Sequence, residues 1–215
     1  MIITIDGPAA SGKGTLARAL AQRLEFAHLD TGGLYRAVAL HMLREDVDLS
    51  DEDAAAAAAE QLDLGLLTDR ALRDQATGQA ASQISRYKGV RSALLDVQRR
   101  FAKAPPGGAK GAILDGRDTG SVICPDADVK LYVEASSAER ARRRAAELAA
   151  RGETADFAAI QSEIEARDAQ DKNRSQAPLI VPTGATVLDT TELSVEAAVS
   201  TALAIVQTAP GNKPL

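Results

Sequence analysis

At 215 residues, 45% of them hydrophobic, the chain can bury one core of ordinary size, which argues for a single principal domain with at most a small insertion. A net charge of −5 argues against a binder of duplex nucleic acid, and no apolar run approaches the roughly 18 residues of a membrane span. Asp6 interrupts the amino terminus before a signal-peptide core can form, so the expected location is the cytoplasm, and the lone Cys124 offers neither an intramolecular disulfide nor a metal-ligand pattern. Arginines outnumber lysines 18 to 7, and because the planar guanidinium fork suits bidentate phosphate contacts, their placement matters more than the total.

The chain opens with "MIITI", an apolar run of strand length, and "TLARALAQRL" follows with Leu16, Leu20 and Leu24 on one helical stripe. Between them lies "DGPAASGKGT", Asp6 to Thr15. A glycine-rich turn between a strand and a helix is the context of a phosphate-binding loop: the backbone bends tightly, its N–H groups point inward, and the helix amino terminus adds about half a positive charge. Lys13 reaches the terminal phosphates of a bound nucleotide in such a loop. The hydroxyl that usually holds Mg²⁺ comes one residue later than usual, at Thr15, because Gly14 follows the lysine.

"FAHLD", "AILD" (112–115), "VKLYV" (129–133) and "TVLD" (186–189) read as further short strands, each followed by a turn or helix, the signature of a parallel sheet with helical crossovers. After the first of these, "LDTGGLYRA" brings Tyr35 and Arg36 to a strand terminus, where they can flank a second small ligand. Ser50 with Asp53 is expected to open an alanine-rich helix, and Ser136 with Glu139 forms a capping box before "RARRRAAELAAR". "APPGGAKG" (104–111) is a loop, and "ILDGRDTGS" (113–121) places Arg117 and Asp118 at a strand's carboxyl end, the one to grip a phosphate and the other to accept an amino group.

Arg140, Arg142, Arg143, Arg144 and Arg151 cluster on and beyond the capped helix, as a solvated face or as a mobile cover over a phosphoryl-transfer site. In "FAAIQSEIEARDAQDKNRS" (157–175), Phe157, Ile160, Ile164, Arg167, Asp171 and Arg174 follow spacings of three and four. That stripe predicts a helix whose first turns pack on the core and whose last turns face a polar cleft. "APGNKPL" ends the chain as a frayed tail.

In the order "ITIDGPAASGKGT", "LDTGGLYR", "AASQIS" with "VRSALLDVQR", "ILDGRDTGSVICPDA", "SSAERARRR" and "RDAQDKNRSQAPL", the sequence resembles the bacterial cytidylate kinases from residue 2 to about residue 205. The resemblance implies an α/β fold of P-loop NTPase type. It would be a five-stranded parallel sheet flanked by helices, in one kinase domain over 1–215 with an acceptor-binding insertion at about 62–85, a lid at about 140–156 and a flexible tail from about 209. It also implies transfer of the γ-phosphoryl of ATP, with Mg²⁺, to CMP or dCMP.

On this resemblance the ATP phosphates lie on Gly7, Pro8, Ala9, Ala10, Ser11, Gly12, Lys13, Gly14 and Thr15, with Thr15 at the metal. The acceptor phosphate lies near Tyr35, Arg36 and Arg117, cytosine near Ser82, Arg91 and Asp118, the sugar near Thr31, Arg167 and Asp171, and Arg174 at the phosphates. Lys13, Arg117 and Arg174 are the implied catalytic residues. Two departures stand out: Thr31 where the family often has serine, and a segment between Leu62 and Ser85 shorter than the family's usual insertion. A kinase of another nucleotide or of a hydroxy acid is the alternative within enzymes, and a signalling nucleotide switch the alternative outside them. The switch lacks the Asn-Lys-x-Asp guanine motif, since its nearest match, Asn212-Lys213, is followed by Pro-Leu. The chain is expected to act as a monomer.

Overall fold

A computed structural model describes residues 1–209, and the apolar runs of the sequence form five strands there: β1 (Ile2–Asp6), β2 (Ala27–Asp30), β3 (Ala112–Gly116), β4 (Val129–Glu134) and β5 (Thr186–Asp189). All pair in parallel in the order β2-β3-β1-β4-β5, with Ile3 opposite both Ile113 and Val129. Parallel neighbours need crossovers, and among the described residues α1 (Lys13–Leu24), α2 (Thr31–Arg44), α3 (Glu52–Glu60), α4 (Gln75–Ile84), α5 (Lys88–Lys103), α6 (Ser137–Ala149) and α7 (Phe157–Asn173) lie between strands, while α8 (Val195–Thr208) follows the last one.

Period-two alternation in the strands serves two cores. Ala112 and Leu114 face α2, α4 and α5, while Ile113 joins Ile3, Ile5, Leu131 and Val133 on the side of α1 and α8. Ile3, Ile5, Leu114 and Leu131 are fully buried, each contributing about 1.5–3 kcal/mol of transfer free energy, so the central strands are the rigid base of whatever stands at their carboxyl ends.

Local details depart from the sequence expectations where a side chain found a better partner. The alanine-rich helix is capped by Asp51, whose carboxylate accepts from Ala54 N at 2.9 Å, because the Ser50 hydroxyl already donates to Asp48 at 2.8 Å. Ser136 accepts from Glu139 N, as expected of a capping box. The reciprocal half is missing, since Arg142 and Arg143 take the Glu139 carboxylate at 2.7 and 2.9 Å and hold its pKa down to about 2. Phe157 does not pack on the core: it is 45% exposed, and the apolar part of α7 begins at Ile160 and Ile164, against Ala141 of α6 and Ala10.

Residues 62–85 fold as two short 3-10 turns, Leu64–Thr68 and Arg70–Arg73, followed by α4, with no strand. Among the described residues no helix is long and apolar enough to cross a membrane. Of the expected tail only Ala209 is described, and Asn212 and Lys213 lie outside the described residues.

Candidate active site

Each strand carries an acidic side chain at or next to its carboxyl end, and these organise the turns that follow. Asp30 caps α2 by accepting from Gly33 N at 3.1 Å, and Asp189 accepts from Thr191 N at 2.8 Å. Asp6, fully buried, accepts from Thr119 N (2.7 Å), Thr119 Oγ1 (2.8 Å) and Gly120 N (2.8 Å). Burial pushes its carboxyl pKa up against those three bonds. Asp6 thereby ties the start of the Gly7–Thr15 loop to the turn that carries Arg117 and Asp118.

The loop needs glycine at its first position, because a Cβ on Gly7 would lie 2.0 Å from the Val133 carbonyl oxygen. Gly12 enters α1 with φ +85° in the left-handed region, which turns the preceding N–H groups inward. Lys13 lies half-buried with its ammonium on Pro8 O at 3.2 Å. Burial first, and Arg117 second, bring its pKa down to about 7 against the opposite pull of Asp115 and Asp30. Two arginines of α6 brace the loop from behind. Arg140, 5% exposed, pairs with Asp168 of α7 at 2.6 Å and donates to Ala9 O at 3.0 Å; Arg143 donates to Thr190 O at 2.6 Å and to Ser11 O at 3.4 Å.

Opposite the loop stands a lattice of arginines and carboxylates drawn from α2, α5, the turn after β3 and the end of α7. Arg117 Nε donates to Asp171 Oδ2 at 2.8 Å. Arg91 Nη2 donates to Asp118 Oδ2 and its guanidinium lies 5.6 Å from the Tyr35 ring centre. Arg174 completes the frame, its two terminal nitrogens 3.8 Å from Asp118 Oδ1 and from Asp171 Oδ1. Burial would raise the Asp171 pKa, but the Arg117 charge and bond, then Arg167 and Arg174, hold it below the usual carboxylate range. Arg167 is half-buried, and burial of its guanidinium first, then the Arg117 charge, depress its pKa to about 10. Two donors of this wall, Arg167 Nε and Arg174 Nη2, are buried without a hydrogen-bond partner, so the frame holds more donors than its own carboxylates satisfy.

Loop and wall enclose a cleft of about 310 Å³. Seven cationic and five carboxylate side chains line it, which leaves two positive charges for an anion. Thr31 sits at its floor with its hydroxyl donating to Asp115 O at 2.8 Å, and Tyr35 and Arg36 stand at its side. Arg36 also donates to Leu72 O at 2.8 Å, which anchors it to the 3-10 turns before α4. The loop residues Ala9 to Thr15 and Arg91, Arg117, Asp118, Arg167, Asp171 and Arg174 line the same cleft. Ser82 does not: its Oγ accepts from Gln170 Nε2 at 3.1 Å and it lines an adjoining cleft of about 770 Å³, while Ser85 lines the smaller one. That larger cleft runs between α4 and α7 and shares Arg36 and Arg167 with the first; Arg144 is the arginine of α6 that reaches it.

Of the sequence-expected lid arginines, Arg140 and Arg143 are therefore braces of the loop and Arg142 is exposed on a surface ion pair. Sequence reasoning missed Asp6, Arg140 with Asp168, Arg143 with Thr190, and His28, whose Nε2 lies 2.6 Å from Asp115 Oδ1. None carries a local signal, since every partner lies far away along the chain.

A phosphate loop on the central strand of an all-parallel sheet, with an arginine-rich wall facing it, defines the fold and site of a P-loop kinase. The cytidylate kinase family model matches residues 3–208, and the chain belongs to that family. A protein named cytidylate kinase from Rhodopseudomonas palustris is 55% identical over 207 residues, 96% of each chain. A second so named, from Methylocella silvestris, is 54% identical over 209 residues, 97% of this chain and 95% of that one. The solved structure of a sugar kinase from Janibacter matches with a TM-score of 0.51 over 97% of this chain and 95% of its own, at 14% identity, a likeness of fold alone.

Proposed function

We propose that the chain transfers the γ-phosphoryl of ATP to CMP or dCMP, with ATP phosphates on residues 7–15 and the acceptor against the arginine wall. The observation that carries this reading is the shared cleft: Lys13 on one side and Arg117, Arg167 and Arg174 on the other converge on one cationic space. The working unit in this reading is a monomer.

The donor set fits Mg²⁺ held mainly by nucleotide and water: Thr15, exposed at the cleft, and Asp115 offer hard oxygens, and no cluster of three or more ligating side chains exists among the described residues. Thr15 and Asp115 would hold the ion beside the phosphates, and with ATP bound it would supply charge neutralisation there. The acceptor oxygen of a nucleoside monophosphate is already anionic near neutral pH, so the chain needs no general base. Its own contribution is to position two repelling anions and neutralise them, through Lys13, Arg117 and Arg174.

Asp118, fixed between Arg91 and Arg174, is a buried acceptor suited to the cytosine amino group, and Arg91 a donor suited to the ring acceptors. Arg36 supports the acceptor phosphate, Thr31, Arg167 and Asp171 the sugar. Ser82 joins the base only if α4 moves toward the wall, closing the larger cleft from one side as the lid segment with Arg144 closes it from the other.

ADP release with ATP·Mg²⁺ and CMP, dCMP, UMP, AMP or shikimate tests the reading. Turnover with CMP and dCMP at least tenfold above the rest is expected, and preference for UMP, AMP or shikimate overturns it.

The depressed pKa of Lys13 adds a pH-dependent expectation. At pH 8 a group with pKa about 7 is mostly neutral, and phosphates beside it restore the charged form, so binding of a non-hydrolysable ATP analogue takes up nearly one proton. The uptake falls toward zero by pH 6, where Lys13 is already charged. Calorimetry at pH 8 in buffers of different ionisation enthalpy measures it, and binding heats that are the same in every buffer would refute the assignment.

A further inference from the structure

His28 stands on β2 with 17% of its side chain exposed, and its Nε2 is 2.6 Å from Oδ1 of Asp115, whose own side chain is 4% exposed. A carboxylate only accepts, so the ring nitrogen carries the proton and donates it. One oxygen of Asp115 is thereby fixed. The other, Oδ2, faces the phosphate loop: a Cβ built on Gly14 would stand 3.5 Å from it, between Lys13 and the Thr15 hydroxyl. Lys13 is close enough for the Asp115 charge to raise its pKa, so a carboxylate free to turn would be drawn to the ammonium.

We propose that His28 is a positioning residue for the divalent cation that accompanies ATP: it locks Asp115 so that Oδ2 points at the hydroxyl end of the loop, where it holds the cation's water shell, and keeps it off Lys13. This rests on the phosphoryl-transfer reading above and on the fit of Thr15 and Asp115 to a hard cation. Carboxylates that serve a metal directly or through water depend on such partners, and loss of one lowers metal affinity about 10–100-fold.

The test is the affinity of the full chain for a non-hydrolysable ATP analogue, measured by calorimetry with Mg²⁺ and again with EDTA. His28→Leu is expected to lose about tenfold of the affinity gained from Mg²⁺ while the EDTA value stays within twofold. His28→Gln, which keeps an N–H donor, is expected to retain most of the gain. Should His28→Leu fail to fold, His28→Asn, polar but too short to reach Asp115, carries the same comparison. Equal loss with and without Mg²⁺, or no loss at all, overturns the positioning role. Absence of analogue binding by the unmutated chain overturns the nucleotide-site reading instead.

Discussion

Lys13→Met is expected to lower kcat about a thousandfold while the KM for CMP changes by less than about threefold. Methionine matches the lysine stem as far as Cε and removes only the ammonium with its charge and three donors. Lys13 is the one lysine lining the cleft, on the side of the loop, and the remaining cations of that space stand mainly on the acceptor wall. A preorganised donor aimed at developing phosphoryl charge is worth roughly 2.7–4 kcal/mol of barrier. The acceptor's own contacts are left in place, so the loss belongs in kcat.

A control separates chemistry from folding. Because burial already depresses the ammonium to about 7, its removal leaves no buried charge unpaired, and the melting temperature is expected to hold or rise. Steady-state kinetics beside a thermal melt decides the matter: near-normal kcat removes Lys13 from the reaction, whereas a collapsed melt makes its role structural.

Asp118→Asn is expected to erase about a hundredfold of the CMP over UMP preference in kcat/KM. The carboxylate is 4% exposed and accepts from Arg91, with Arg174 beside its other oxygen. In the proposed reading cytosine would present an amino donor to it, whereas uracil would present a carbonyl there and leave two acceptors facing each other. An asparagine amide offers both a donor and an acceptor, so it accepts either base. Alanine would be the harsher change, since it leaves Arg91 without its carboxylate and Arg174 with Asp171 alone, and it costs about 3–5 kcal/mol of stability. Measured on both substrates, an unchanged CMP to UMP ratio in Asp118→Asn takes Asp118 out of base recognition, and a ratio moved toward UMP keeps it there.

Much of this was legible before any coordinate. The strands announce themselves because parallel strands are covered on both faces and read as continuous apolar runs, as in "MIITI" and "AILD". The phosphate loop is legible because its function lies in backbone geometry that only a local string of glycines permits. Arg117, Asp118, Arg167, Asp171 and Arg174 sit at strand ends or on one stripe of α7, so position alone marked them as cleft residues.

What the string of residues could not reveal is who takes whose hydrogen bonds. Glu139 looks like half of a capping box, yet two arginines of the same helix outcompete a backbone N–H for its carboxylate. Arg140 looks like one more solvated arginine of a basic run, yet Asp168, 28 residues on, and the Ala9 carbonyl draw it inside. Ser82 carries the family pattern for the base, but Gln170 holds it in the adjoining cleft, one turn of α4 away from Ser85.

The sheet, the loop and the class of ligand can be read along the chain, because these depend on apolar periodicity, on glycine's backbone freedom and on the charge of side chains near strand ends. Folding alone brings Asp6 under the Arg117–Asp118 turn and His28 onto Asp115, and sorts the arginines that face the cleft from those that support it. The Asp6 and His28 pairings join residues 87 to 114 positions apart, and a buried charge chooses the nearest partner in space that can repay its lost hydration, which nothing local in the chain encodes.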